Sequence, residues 1–187
     1  LHCKNPMCVT GCPVEVNIPE FIHELANNNP AQAIKEKKKK SNLPAVCGRV
    51  CPQEKQCESK CILGIKQEPI AIGNLERYAA DWAAKNIKEE SFDIKPNGIK
   101  VAVIGSGPAG LTCAGDLAKL GYDVTIFESL HDSGGVLRYG IPEFRLPVEV
   151  LDREVDSLKK LGIKFVFNYL IGRTKTVEDL INEGFKA

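Results

Sequence analysis

The chain has 187 residues, 43% hydrophobic and 26% charged, with a formal net charge of +1. That length admits one large domain or two small ones, and a nearly neutral chain offers no electrostatic footprint for a nucleic acid or an acidic membrane. No apolar run is long enough to span a bilayer, and Leu1-His2-Cys3-Lys4-Asn5-Pro6 lacks the apolar core of a secretory signal, so a cytoplasmic protein is expected.

Of the eight cysteines, seven lie at or before Cys61, while Cys113 stands alone in an apolar helical pattern. A disulfide framework needs an oxidising compartment. Clustered cysteines in a chain without an export signal read better as metal ligands. The first run is Cys3-x4-Cys8-x3-Cys12-Pro13. After it, Pro19 to Asn27 predicts a short helix with Phe21, Ile22 and Leu25 on one face. A second helix should start at Pro30, a residue suited to the first helical position. It runs into Lys35 to Lys40, expected as a solvated helix end favoured by the macrodipole. Asn42 to Lys66 carries Cys47-x3-Cys51-Pro52 and Cys57-x3-Cys61 with few helix signals. Ligand-bearing loops have this texture, because a metal rather than a core fixes the backbone. Leu75, Tyr78, Ala79, Trp82 and Ala83 then recur at helical spacing and predict an amphipathic helix over 73–86.

Pro96-Asn97-Gly98 is a turn signal, and 91–98 is expected as a linker between a helical domain, 1–90, and a second domain, 99–187. In the latter, strands are expected at 100–104, 123–128 and 163–167. Helices are expected at 111–120, 148–161 and 177–183. Strands alternating with helices predict a parallel sheet.

Gly105-Ser106-Gly107-Pro108-Ala109-Gly110 follows the first of these strands and opens a helix. Gly105 permits the tight turn, Gly107 lets the backbone approach a diphosphate, and Gly110 allows close helix–strand packing. The diphosphate would sit at the helix N-terminus, where N–H groups and the dipole favour negative charge. Glu128 ends the second strand, where a carboxylate can accept from ribose hydroxyls. Gly134-Gly135-Val136 comes soon afterwards and suits a second backbone approach to a long cofactor. The order points to FAD rather than NAD(P).

The cysteines do not form the paired C-x2-C pattern of structural zinc sites. A cysteine followed by proline, closing a tight run, is a ferredoxin-type feature, and in two-cluster ferredoxins that cysteine ligates the other cluster. Zinc and unligated thiols remain alternatives at this level. Two [4Fe–4S] clusters would need eight ligands, and this region offers seven cysteines. None of His2, His23 and His131 sits in a motif.

Four stretches carry a family resemblance: Cys8-Val9-Thr10-Gly11-Cys12-Pro13-Val14; Leu43-Pro44-Ala45-Val46-Cys47-Gly48-Arg49-Val50-Cys51-Pro52; Pro69-Ile70-Ala71-Ile72-Gly73-Asn74-Leu75-Glu76-Arg77; and Gly134 through Pro147. Together they resemble the small (β) subunit of NADPH-dependent glutamate synthase. The same module occurs in the large subunit of the NADH-dependent reduced ferredoxin:NADP oxidoreductase and in the N-terminal region of dihydropyrimidine dehydrogenase. The resemblance implies an α-helical ferredoxin-like iron–sulfur domain, followed by the first portion of a Rossmann-type FAD domain of the two-dinucleotide-binding kind. It assigns Cys3, Cys8 and Cys61 to one cluster, with a fourth cysteine expected immediately before Leu1. It assigns Cys12, Cys51, Cys57 and Glu76 to the other, and leaves Cys47 as a non-ligand. It places Gly105, Gly107, Pro108, Ala109, Gly110, Glu128, Gly134, Gly135, Val136, Arg145 and Ile171 at FAD.

What the resemblance implies in function is electron transfer from NAD(P)H through FAD and two [4Fe–4S] clusters to a large catalytic subunit or a ferredoxin-type acceptor. No general acid or base within these residues is needed. Family members run longer, with an NAD(P)H domain beyond this segment, so the chain is expected to be an N-terminal fragment, inactive alone. The rival reading is a zinc-stabilised interaction module joined to a nucleotide-binding domain.

Overall fold

The computed structural model describes residues 3–87 and 93–187. His2 and the first two residues of the expected linker lie outside the described residues. The chain divides into two compact units, Leu1–Glu90 and Ser91–Ala187.

The first unit is helical. α1 is a single turn, Met7–Thr10. α2 spans Ile18–Ala26, with the Asn17 side chain accepting from the Glu20 N–H as N-cap and Pro19 in the first turn. α3 spans Pro30–Lys38, capped in the same way by Asn29. Both caps satisfy N–H groups that a helix start leaves without partners. α4, Pro44–Val50, falls in the segment expected to be all loop. Three 3₁₀ turns, Gln53–Lys55, Glu58–Lys60 and Ile62–Ile65, carry the chain past Cys57 and Cys61. α5 spans Ile72–Asn86, as the periodicity indicates.

Two apolar clusters hold these elements. Phe21 on α2, Ala33 and Ile34 on α3, and Ala79, Ala80 and Ala83 on α5 form one. The alanines let α5 come close, and Phe21 fills the space between them. Val16, Ile18, Ile72 and Cys57 form the other, with Cys8 and Cys12 packed against it. Thiols are therefore part of the hydrophobic interior.

The lysine run departs from expectation. Lys37 is 3% exposed and Glu36 7%, while Lys35, Lys39 and Lys40 are exposed. α3 packs on α5 through Ala33 and Ile34, and its last turn still has an inward face on which Lys37 reaches Glu76 of α5.

The second unit is a parallel sheet with helices. β1 (Lys100–Ile104), β2 (Asp123–Phe127) and β3 (Lys164–Val166) lie in the order β1-β2-β3. Lys100 pairs with Asp123 at one end of the first ladder and Ile104 with Phe127 at the other. On the free side of β1, the Ala102 N–H donates to Ala187 O and the Lys186 N–H to Lys100 O, so the last residues run parallel beside it. β1 thus has neighbours on both sides, an arrangement found where α/β sheets reverse strand order and receive ligands at the strand C-termini. α6 (Pro108–Lys119) follows β1, α7 (Val136–Tyr139) and α8 (Val148–Lys160) lie between β2 and β3, and α9 (Val177–Asn182) follows β3.

Phe21→Ala should lower the stability of the first unit by about 3–5 kcal/mol, because the side chain is fully buried and its neighbours are short. Denaturant unfolding followed by a probe in that unit measures this. An unchanged midpoint would contradict the packing described.

Candidate functional sites

Two groups of cysteines come together in the first unit. Cys3, Cys8 and Cys61 line one apolar cavity with Ile18, Ile22 and Ile70. Burial pushes the Cys8 thiol up, and the neighbouring Cys3 and Cys61 push it further.

The second group centres on Glu76. Burial is the main force holding the Cys57 thiol up at about 11, with Cys12, Glu58 and Glu76 adding to it. The Cys51 thiol is lowered, first by a hydrogen bond with Cys47, against burial and the charges of Glu76 and Cys12. Cys47 is pushed far up, first by that same hydrogen bond, then by burial and by Glu76. The two thiols thus share one hydrogen bond, which holds one up and the other down. Ser41 Oγ lies 3.6 Å from Cys47 Sγ.

Glu76 is 5% exposed, and burial pushes its carboxyl up while Lys37 opposes that rise. Lys37 Nζ stands 2.7 Å from Glu76 Oε1, with both side chains buried. That contact is close enough for an ion pair, yet Oε1 gains no hydrogen bond of acceptable geometry from it.

Gly48 sets the distance between these groups. A Cβ there would lie 2.6 Å from the Arg77 backbone nitrogen. Only a residue without a side chain lets α4, with Cys47 within it and Cys51 at its C-terminal end, lie on α5 at the turn that carries Glu76 and Arg77. The Arg49 guanidinium then bonds both oxygens of Asp81 on α5, at 2.6 and 2.8 Å. Bidentate pairing of this kind fixes orientation as well as distance.

Among the described residues, no three His, Cys, Asp or Glu side chains form a group of the kind that holds a single metal ion. The donor sets do fit an iron–sulfur group in their chemistry. Soft thiolate donors select such groups. One thiol of each set, Cys8 in the first and Cys57 in the second, is held up by burial and by neighbouring charges, and a cation among the thiols would offset both effects.

The second site is built on three turns of the other unit. Gly105 takes φ +92°, and a Cβ on Gly110 would lie 2.0 Å from Gly105 O. Gly110 thus lets α6 start directly behind the turn. Pro108 and Ala109 open α6 and are exposed. The Gly134 N–H donates to Ser106 O at 3.0 Å and to Ser106 Oγ at 3.2 Å, which lays the Gly134-Gly135 turn against the first. Val136 begins α7, exposed.

Glu128 is buried at the end of β2 and ties these turns together. Its Oε2 accepts from the Ser106 N–H at 2.8 Å and from the Ser106 hydroxyl. Its Oε1 accepts from the Leu130 N–H at 2.9 Å and the Ser129 hydroxyl at 3.1 Å. Burial would raise this carboxyl, but the bonds from Ser106, Leu130 and Ser129 outweigh it and hold it below the usual range. Arg145 stands exposed between α7 and α8, and Ile171 pairs with Lys175 in an isolated parallel bridge.

The structure adds residues that the sequence reading passed over. Ser106, to which the sequence pattern gave no role, links Gly134 to Glu128 through its hydroxyl. Arg138 donates to Ser133 O at 2.6 Å and pairs with Asp132 and Asp152, clamping the second glycine turn. Lys37 was read as surface.

Residues 1–88 match the family model described as dihydropyrimidine dehydrogenase domain II, 4Fe-4S cluster, and residues 103–154 match that of an NAD(P)-binding Rossmann-like domain. The glutamate synthase [NADPH] small chain of Escherichia coli (strain K12) is 40% identical over 185 residues, covering 98% of this chain and 39% of that protein. The chain resembles the glutamate synthase small chain. The NAD-dependent dihydropyrimidine dehydrogenase subunit PreT of Escherichia coli O157:H7 is also 40% identical, over 96% of this chain and 44% of its own length. The chain thus spans about two fifths of the length of these curated relatives. The glutamate synthase [NADH] of Saccharomyces cerevisiae matches at 40% over 98% of this chain and 9% of its own. A likeness to the solved histamine dehydrogenase of Rhizobium sp. 4-9 covers 51% of this chain and 15% of that one, at 31% identity and a TM-score of 0.36, too low to carry a fold comparison. The first unit is an iron–sulfur domain and the second a Rossmann-like one. Among the described residues, no helix is long and apolar enough to cross a membrane.

Two substitutions test the geometry. Gly48→Ala should cost about 1–3 kcal/mol by forcing α4 off α5, read as a lower midpoint of thermal unfolding of the first unit. Glu128→Gln should destabilise the second unit by about 1.5–3 kcal/mol, since charge-assisted bonds are lost. Because the Glu128 pKa is lowered on folding, its contribution is fully present above the unfolded carboxylate pKa and is lost as pH falls through the folded one. Stability of Glu128→Gln should therefore fall less than that of the unsubstituted protein across that acidic window.

Proposed function

We propose that the chain is the cluster- and flavin-binding part of an iron–sulfur flavoprotein oxidoreductase subunit of the glutamate synthase small-chain type. The observation that carries this reading is the match of residues 1–88 to a 4Fe-4S family model. Two neighbourhoods of cysteines within that unit support it, Cys3 and Cys61 beside Cys8, and Cys12, Cys47, Cys51 and Cys57 about Glu76.

In this reading Cys3, Cys8 and Cys61 hold one [4Fe–4S] cluster, in the cavity walled by isoleucines. Cys12, Cys51, Cys57 and Glu76 hold the second, and Cys47 stays a thiol that donates to Cys51. Hydrogen bonds to ligand sulfur tune such centres, so Cys47 is a tuning residue rather than a ligand. In the second unit the turn from Gly105 to Gly110 offers N–H groups and a helix N-terminus to the diphosphate of FAD. Gly134, Gly135 and Val136 bring a second stretch of backbone to the same place. Glu128 braces both turns and presents its carboxylate to the adenosine ribose, and Arg145 and Ile171 contribute at the flavin and adenine ends. When bound, FAD and the clusters supply the conversion of a two-electron donor into one-electron steps. The residues of this chain supply binding, insulation from water and tuning. The domain limits follow as 1–90, 91–98 and 99–187.

NAD(P)H as donor, a large catalytic subunit or ferredoxin-type protein as acceptor, and action in the cytoplasm belong to the same proposal for the whole protein. The relatives named for glutamate synthase and for a dihydropyrimidine dehydrogenase subunit support it.

Anaerobically purified full-length protein should be coloured, with iron and acid-labile sulfide in equal amounts and FAD bound. Cys57→Ser should remove about half of the iron, since one of two clusters loses a ligand. Cys47→Ser should retain it all. A colourless protein with stoichiometric zinc would overturn the reading.

A further inference from the structure

Lys37 is a buried ammonium that neither the fold nor the ligand set explains. It sits on the last turn of α3, 3% exposed, among lysines that mostly reach solvent. Its Nζ lies 2.7 Å from Glu76 Oε1 and 5.3 Å from the centroid of the Phe21 ring. Burying such a pair gains little stability over apolar residues of the same size, because desolvation offsets the attraction. Stability is thus a weak reason for a lysine here.

Its surroundings supply a better one. The carboxylate it faces is the non-sulfur member of the proposed second ligand set, and its buried Oε1 has the Lys37 ammonium as its neighbour. A carboxylate has two oxygens, so an ammonium beside one leaves the other able to bind metal. Around this centre Cys12, Cys51, Cys57 and Glu76 bring negative charge, and Lys37 opposes it from inside the protein.

We propose that Lys37 is a positioning and charge-compensating residue for the second iron–sulfur centre: it steers the Glu76 carboxylate and raises the reduction potential of the centre that Glu76 ligates. The inference rests on the ligand set proposed above. The step concerned is the uptake of one electron from an external reductant, with no bond made or broken in the protein. A fixed positive charge in a dry environment stabilises the reduced, more negative form over the oxidised one. The effect requires Lys37 only to stay protonated in both states.

The test is a redox titration of the full-length protein, followed by electron paramagnetic resonance, with iron and sulfide analysis of each variant. Lys37→Met should shift the midpoint of one centre to more negative potential and leave the other unmoved. Lys37→Arg should restore it towards the original value. A fully loaded Lys37→Met protein with both midpoints unchanged would overturn the proposal. Should Lys37→Met fail to load, Glu76→Cys provides a thiolate that needs no steering. Lys37→Met/Glu76→Cys should then titrate at more negative potential than Glu76→Cys alone, and equal midpoints would overturn the proposal. Failure of the underlying ligand set looks different: Glu76→Cys would leave the spectrum and midpoint of both centres as in the unsubstituted protein, or the unsubstituted protein would hold one cluster's iron only.

Discussion

The approach of α4 to α5 across Gly48 is the contact on which the first unit depends. With a Cβ 2.6 Å from the Arg77 backbone, no other residue fits without moving one helix. The contact brings Cys47 and Cys51 beside the turn that carries Glu76. The Arg49–Asp81 pair, one residue past Gly48 on α4 and four past Arg77 on α5, keeps them from sliding. α3 lies against the same α5, so Lys37 arrives at Glu76 from the other side. α3, α4 and α5 thus bring a lysine, a pair of thiols and a carboxyl group to one place.

The second unit solves a similar problem with hydrogen bonds. Two glycine-rich turns and a strand end must stand together before any ligand arrives, although glycine turns have little packing of their own. Ser106 makes the join, accepting from Gly134 and donating to Glu128. Glu128 in turn holds the segment after β2 through Leu130 and Ser129. Both carboxylate oxygens are engaged by the protein, so a ribose hydroxyl would share or displace the Ser106 and Ser129 hydroxyls. Preorganisation of this kind lowers the ordering cost of binding a long cofactor.

Much of this was legible in the sequence. The helices at α2, α3 and α5 and the strands β1 and β2 follow from spacing, caps and β-branched runs, and each falls within a residue or two of its expected limits. α4 was not legible, because its seven residues include Gly48 and two valines, and such a segment is helical only when it packs on α5. The strand expected over 163–167 is shorter, since only Lys164 to Val166 find partners on β2. The burial of Lys37 was invisible for a physical reason. In a run of lysines the one that faces inward is chosen by the helix beneath it and by a carboxylate thirty-nine positions away. Local pattern carries no trace of either. The grouping of cysteines came from the resemblance, not from spacing, which left the pairing open.

Placing thiols inside an apolar cluster has a consequence for assembly. Cys57 is buried with Val16, Ile18 and Ile72, and Cys8 and Cys12 pack against them. A dry environment makes each thiol costly to ionise, and neighbouring thiols make it costlier. The same residues, once protonated, are acceptable core members, since a free cysteine packs as a small hydrophobe. The first unit can therefore hold its helices together before any metal is present, and metal entry must expel several protons from a closed interior. Loading would then depend on pH. The proposed ligands Cys8, Cys12 and Cys57 pack in one apolar cluster, while Phe21 and the alanines of α5 belong to another that contains no cysteine, so the second does not depend on the protonation of the thiols.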